Sequence, residues 1–109
     1  VVQRWDCTVL CGHRGEAEQL AALASGASQL GWPQSKHNAQ PSLAVDLAPW
    51  PLPPWDDAAS FRAFGFYVLG TAAGLGIPLR WGGWWAGVGT DWRANGFDDL
   101  VHFELVGEV

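Results

Sequence analysis

The chain has 109 residues, enough for one compact domain with a single core and not for a second. Hydrophobic residues make up 49%, with 8 Trp, so the sequence is a folding one despite its 14 Gly and 7 Pro. A net charge of −5 with only 6 Lys plus Arg argues against a nucleic-acid partner and against docking on an anionic membrane, and no apolar run approaches the ~20 residues of a membrane span.

The sequence begins at Val1, and no basic segment leads into an apolar run, so no secretory signal is visible. The expected organisation is one domain over residues 1–109, with a trimmed N-terminus allowed for. Residues 6–12 alternate and are β-branched, which predicts a strand. Cys7 and Cys11 lie on it. Four residues of strand separate their Cα atoms by about 13 Å, against the roughly 4.4–6.8 Å that a disulfide needs. Two reduced thiols on one strand face are therefore expected.

Residues 12–15 read as a turn, and residues 16–24 as a helix rich in Ala, Leu, Glu and Gln. Ala17, Leu20, Ala21 and Ala24 form an apolar stripe on it at helical spacing. Gly26 and Gly31 break the pattern, and residues 34–40 form a polar loop. Residues 43–47 predict a short strand with Val45 and Leu47 on one face, Ala44 and Asp46 on the other. The proline-rich stretch 49–55 cannot be a regular element, because proline lacks the amide donor.

Asp56 or Asp57 can cap the next helix, which runs to about Ala73 and buries Phe61, Phe64, Val68 and Ala72. Gly74 and Gly76 end it. Residues 77–81 read as a strand, residues 82–96 as a long ordered loop, and residues 101–106 as the last strand. There Val101, Phe103 and Leu105 share the core face, with His102 and Glu104 opposite. Two helices against a small, mostly antiparallel sheet make an α+β domain.

Three residues on separate segments stand out: His37 in the polar loop, Asp46 on one strand and His102 on another. In both strands the residue lies opposite the large apolar side chains. If the strands are neighbours, Asp46 and His102 point into the same cleft. Two histidines and one carboxylate are a set that suits a catalytic zinc, with a fourth position open to water. Asp99 supplies a further carboxylate three residues before His102, on reach a general base, with Asp98 as runner-up. His13 is expected to be a loop residue and Lys36 a solvated one. Glu104, on the cleft face, either orients a histidine or makes a structural salt bridge. Among Trp81, Trp84, Trp85 and Trp92, one or two are expected to touch a ligand and the rest to pack.

These motifs resemble the M15 family of zinc peptidases, which act on bacterial peptidoglycan peptides. Ser35-Lys36-His37 and Ala44-Val45-Asp46 match the family's Ser-x-His and Ala-x-Asp. Asp99-Leu-Val-His102-Phe103-Glu104 matches its acid-x-x-His-aromatic-Glu. Gly12-His13-Arg14 with Glu18-Gln19, and Trp81-Gly82-Gly83, match two further motifs. The likeness is strongest to phage endolysins and L-alanyl-D-glutamate endopeptidases, and it runs from about Gly12 to Leu105.

The resemblance implies a hedgehog-like, D-Ala–D-Ala-peptidase-like fold and one zinc per chain on His37, Asp46 and His102. It also implies Asp99 as base, Arg14 as the group that stabilises the oxyanion, and Ser35 either binding substrate or fixing its loop. The expected reaction is cleavage of a peptidoglycan stem peptide, at L-Ala–D-Glu, by a monomeric enzyme made in the host cytoplasm and acting on the wall or periplasm. Two alternatives are kept: a D-Ala–D-Ala carboxypeptidase or dipeptidase, and a non-catalytic zinc-stabilised wall-binding module, against which an intact Asp99 and Arg14 argue.

Overall fold

A computed structural model describes residues 5–85, 87, 90–94 and 98–106. Four strands, β1 (Cys7–Cys11), β2 (Ala44–Pro49), β3 (Leu79–Gly82) and β4 (Asp99–Leu105), form one sheet in the order β1-β2-β4-β3, with every pairing antiparallel. The helices are α1 (Glu16–Ser25) and α2 (Ala58–Gly74), and single 3₁₀ turns occur at Lys36–Asn38 and Trp92–Ala94. The expected α+β class is borne out. Part of the ordered loop expected over residues 82–96 lies outside the described residues.

Helix α2 starts where Asp57 caps it, its carboxylate accepting from Ser60 N at 3.2 Å and from Ser60 Oγ at 2.6 Å. It ends before Gly76, whose φ of 72° a side chain would resist. Its expected stripe is the one that packs: Phe61, Phe64 and Ala72 are buried, and Val68 rests on the core cluster of Phe64, Trp81 and Phe103. From the sheet, Val45 and Leu47 of β2 join the same cluster. A Cβ on Gly65 would sit 2.1 Å from the Trp81 ring, and one on Gly83 2.3 Å from it. The indole therefore lies between two glycines because nothing larger leaves it room.

Helix α1 behaves otherwise. Its stripe of Ala17, Leu20, Ala21 and Ala24 is exposed, and the residue it buries is Gln19. Hydrogen bonds, not apolar packing, hold this side of the molecule. The cysteines are both free, but they do not share a face. A bulge between Val9 and Cys11 pairs Cys7 with Pro49 and Cys11 with Asp46, which belong to opposite faces of β2.

A second bulge shapes β4. Trp81 pairs with Phe103, but the next residue, Gly82, pairs with Asp99. The slip reverses the strand's parity, so Leu100 joins the core cluster where Val101 had been expected, and Asp99 turns towards the opposite, cleft face. Gly82 makes the bulge possible: a Cβ there would lie 2.1 Å from the Asp99 carbonyl oxygen.

Candidate metal centre and catalytic cleft

Strands β2 and β4 are neighbours, the condition on which the parity argument rested, and Asp46 and His102 are direct partners across their ladder. The 3₁₀ turn brings His37 to them. Ser35 caps that turn, its Oγ accepting from His37 N at 3.2 Å, while Asn38 Oδ1 accepts from Ser35 N at 3.0 Å. Three atoms converge: His37 Nε2 lies 3.1 Å from both Asp46 Oδ1 and His102 Nδ1, and His102 Nδ1 lies 3.3 Å from Asp46 Oδ1.

The outward ring nitrogens decide what these atoms offer. His37 Nδ1 lies 2.8 Å from the Gly12 carbonyl, which can only accept, so Nδ1 carries a proton. His102 Nε2 lies 2.8 Å from Glu104 Oε1 and donates to it. In the neutral rings, then, His37 Nε2 and His102 Nδ1 both present lone pairs inward, facing a carboxylate oxygen. Three acceptors this close need a cation or an added proton between them.

The electrostatics say the same. Burial works against the Asp46 carboxylate, yet hydrogen bonds from His102 and His37, and their charge, hold its pKa well below the usual range. Burial also works against charge on His102, but hydrogen bonds to Asp46 and Glu104, with the negative charges of Asp46 and Asp99, raise it. Glu104 is depressed despite burial, by hydrogen bonds from His102 and Lys36. A metal fits the cluster. Tetrahedral coordination with bonds of about 2.0–2.2 Å sets ligand atoms about 3.3–3.6 Å apart, only slightly more than the 3.1–3.3 Å seen here. His37, Asp46 and His102 thus form a possible metal-binding triad, with their ligand atoms all within 4.8 Å of one another.

Around the triad lies a cleft of about 470 Å³, lined among others by Arg14, Ser35, Lys36, Arg80, Trp85, Asp99 and Glu104. The two adjacent aspartates part company here. Asp98 pairs with Arg62 of α2 at 2.7 Å, whereas Asp99 lines the cleft. Burial, and then the charge of Asp46, push the Asp99 pKa up; the positive groups of His102, His37 and Arg14 offset this in part. Arg14 is held by Gln19, to which its Nη1 donates at 3.0 Å, and its Nη2 lies 3.8 Å from Asp46 Oδ2.

The chain matches a model of the phage L-alanyl-D-glutamate peptidase family over residues 1–106. It belongs to that family. Among solved structures it is similar to the L-Ala D-Glu endopeptidase ChiX of Serratia marcescens, with 26% identity and a TM-score of 0.66 over 94% of this chain and 68% of that one. No match was found among curated proteins. The peptidoglycan peptidase expected from the motifs is therefore borne out at the level of family and fold.

Within this peptidase some residues sit differently from expectation. Lys36 is not simply solvated: its Nζ lies 3.2 Å from Glu104 Oε2 and also donates to the Leu105 carbonyl. Glu104 fills both roles considered for it, accepting from His102 and pairing with Lys36. The visible contact of Ser35 is the cap on the His37 turn, which uses an acceptor of the hydroxyl and not its donor. Of the tryptophans considered, Trp81 is core, and Trp85 lines the cleft with its ring 5.6 Å from that of His102. His13 is exposed.

Gln19 had no assigned role, yet it is fully buried at the centre of a network. Its Nε2 donates to Ser28 Oγ at 2.9 Å and to the Leu30 carbonyl at 2.6 Å, and its Oε1 accepts from Arg14 and, at 3.2 Å, from Asn38. Asn38 Nδ2 also donates to the Arg14 carbonyl at 2.9 Å. The only hint in the sequence was Gln19's place in the motif that opens the helix.

Proposed function

We propose that this peptidase is a monomeric zinc enzyme that cleaves the L-Ala–D-Glu bond of peptidoglycan stem peptides, using one zinc on His37, Asp46 and His102. The observation that carries the reading is the inward-facing acceptor set of two histidine nitrogens and a carboxylate, with each outward nitrogen tied to its own partner. A nitrogen-and-oxygen set without thiolate suits a catalytic zinc better than a structural one. When bound there, zinc supplies Lewis acidity, which polarises the scissile carbonyl and acidifies water.

The chain's own residues do the rest. Glu104 and the Gly12 carbonyl fix the two imidazoles in the tautomers that leave their inner nitrogens unprotonated. Asp99, raised by burial and by Asp46, takes the proton from the attacking water and delivers it to the leaving amine of D-Glu. Arg14, braced by Gln19, stabilises the oxygen on which negative charge develops. Ser35 holds the turn that carries His37, and its donor is available to a substrate carbonyl.

Digestion of purified peptidoglycan, followed by mass spectrometry of the new termini, tests the reaction. Peptides beginning in D-Glu are expected, formed in the presence of zinc and not after chelation. Release of free D-Ala without new D-Glu termini would instead point to a carboxypeptidase.

A further inference from the structure

Beyond Glu104 the cleft reaches Arg80 and Trp85. Arg80 lies on β3 opposite Glu104 of β4. Its Nε donates to the Trp85 carbonyl at 2.9 Å, its guanidinium lies 4.8 Å from the centroid of the Trp85 ring, and its Nη1 stands 3.8 Å from Glu104 Oε2. The group is thus held on one edge and one face, while 47% of the side chain is exposed.

Of the other cations of the cleft, Lys36 is closer to its carboxylate, and Arg14, at the same 3.8 Å from its own, is buried to 13% exposure where Arg80 is open to the cleft. Lys36 sits 3.2 Å from Glu104 and donates to Leu105, and Arg14 donates to Gln19 beside Asp46. Glu104 is one carboxylate, already accepting from His102 at 2.8 Å and paired with Lys36, so it does little to neutralise a guanidinium 3.8 Å away. Among the described residues, Arg80 Nη2 makes no hydrogen bond. A positioned cation in a substrate cleft, without a close anion of its own, is a site for an anionic ligand.

We propose that Arg80, stacked on Trp85, is a subsite for a free carboxylate of the substrate, that of the D-glutamate on the amine side of the scissile bond. The proposal rests on the L-Ala–D-Glu reading above. Glutamate has two carboxyl groups and a linear peptide chain uses only one of them. The other remains an anion a few bonds from the nitrogen released by cleavage. A guanidinium fork distinguishes that carboxylate from its carboxamide, which has no charge and offers one acceptor oxygen in place of two.

The test uses zinc-loaded wild type, Arg80→Gln and Arg80→Lys, with zinc content checked in each. Two synthetic stem peptides are compared, identical except that the free carboxyl of D-Glu is a carboxylate in one and a carboxamide in the other. Wild type is expected to favour the carboxylate by about tenfold or more in kcat/KM, the size of a hydrogen-bonded charge pair, mostly through KM. Arg80→Gln should bring that ratio close to one, and Arg80→Lys should retain part of it. A wild-type ratio near one, or a preference that survives in Arg80→Gln, would overturn the subsite. Cleavage of neither peptide by wild type would overturn the hydrolysis reading itself, a result distinguishable because no ratio could then be measured.

Discussion

The two faces of one sheet are built on opposite principles. On the α2 side, Phe64, Trp81 and Phe103 meet in an apolar cluster that would be held by burial alone. On the other side, His37, Asp46, His102, Glu104, Lys36, Arg14 and Gln19 meet in a hydrogen-bonded network, and the helix that closes it, α1, leaves its apolar stripe exposed. Adjacent residues of β4 serve the two sides in turn, Phe103 the core and its neighbours His102 and Glu104 the cleft. The first face makes the fold stable; the second keeps charges close together for chemistry, at a cost that a cation would relieve.

Breaking the cleft face at its centre should have the largest effect. His102→Ala removes one of the three proposed ligands, so turnover should be lost and zinc should no longer stabilise the protein. In wild type, zinc at a hundred times its Kd should add about 2.7 kcal/mol and raise Tm by ~10 °C or more. A thermal scan with and without zinc checks this, and an undiminished rise in His102→Ala would place the metal elsewhere.

On the core face, Phe64→Ala should cost about 3–5 kcal/mol of stability, the range for a buried aromatic. Folded molecules of this variant should still bind zinc. A loss of zinc affinity as large as that in His102→Ala, measured where the variant is folded, would mean that the two faces are not separable as described.

Asp99→Asn sharpens the contrast, because it should move activity and stability in opposite directions. Turnover should fall by ~100-fold or more, the lower end for a lost general base, with zinc retained. Burial and the Asp46 charge penalise the Asp99 carboxylate, so the metal-free variant should melt a few degrees higher at neutral pH. Should Asp99→Asn stay active while Asp98→Asn is dead, the base would be the neighbouring residue.

The smallest effect concerns pH and the metal-free protein. Asp46 and Glu104 are depressed below their ordinary values of 3.8 and 4.5, so their contribution is present above those values and is lost as pH falls through the folded ones. His102 is raised above 6.5, so its contribution is full below 6.5 and is lost as pH rises through the folded value. Asp99, also raised, subtracts in the same direction as His102 but from lower pH. Stability should therefore peak on the mildly acidic side, and zinc should flatten the alkaline loss by replacing the proton on His102. Denaturant midpoints against pH, with and without zinc, would show it; an alkaline limb unchanged by zinc would count against the shared site.

Much of this was legible in the residues. Strand parity put Asp46 and His102 each on the face opposite the apolar side chains, and the pairing of β2 with β4 then brings them into one cleft. The α2 stripe was equally plain. Asp99 was harder: in a regular strand it would share the face of Phe103, and only the bulge at Gly82 turns it to the cleft. That bulge arises from a close approach of two backbones, which local pattern does not encode. Gln19 and Lys36 look like surface residues of a helix and a loop. What makes them interior or paired is a set of partners distant in sequence, Leu30 and Asn38 for one, Glu104 and Leu105 for the other. The apolar residues of α1 misled in the opposite sense, since periodicity shows that a helix has an apolar face and not that anything covers it.

The most direct test of the metal centre is calorimetric titration of zinc into the metal-free protein at pH 6, repeated in buffers of different ionisation enthalpy. The account predicts one zinc per chain with net proton release, because zinc displaces the proton that Asp46 and Glu104 hold on His102. It also predicts that Asp99→Asn binds with the same stoichiometry and that His37→Ala binds far more weakly. No binding by wild type, or binding unaltered in His37→Ala, would contradict it.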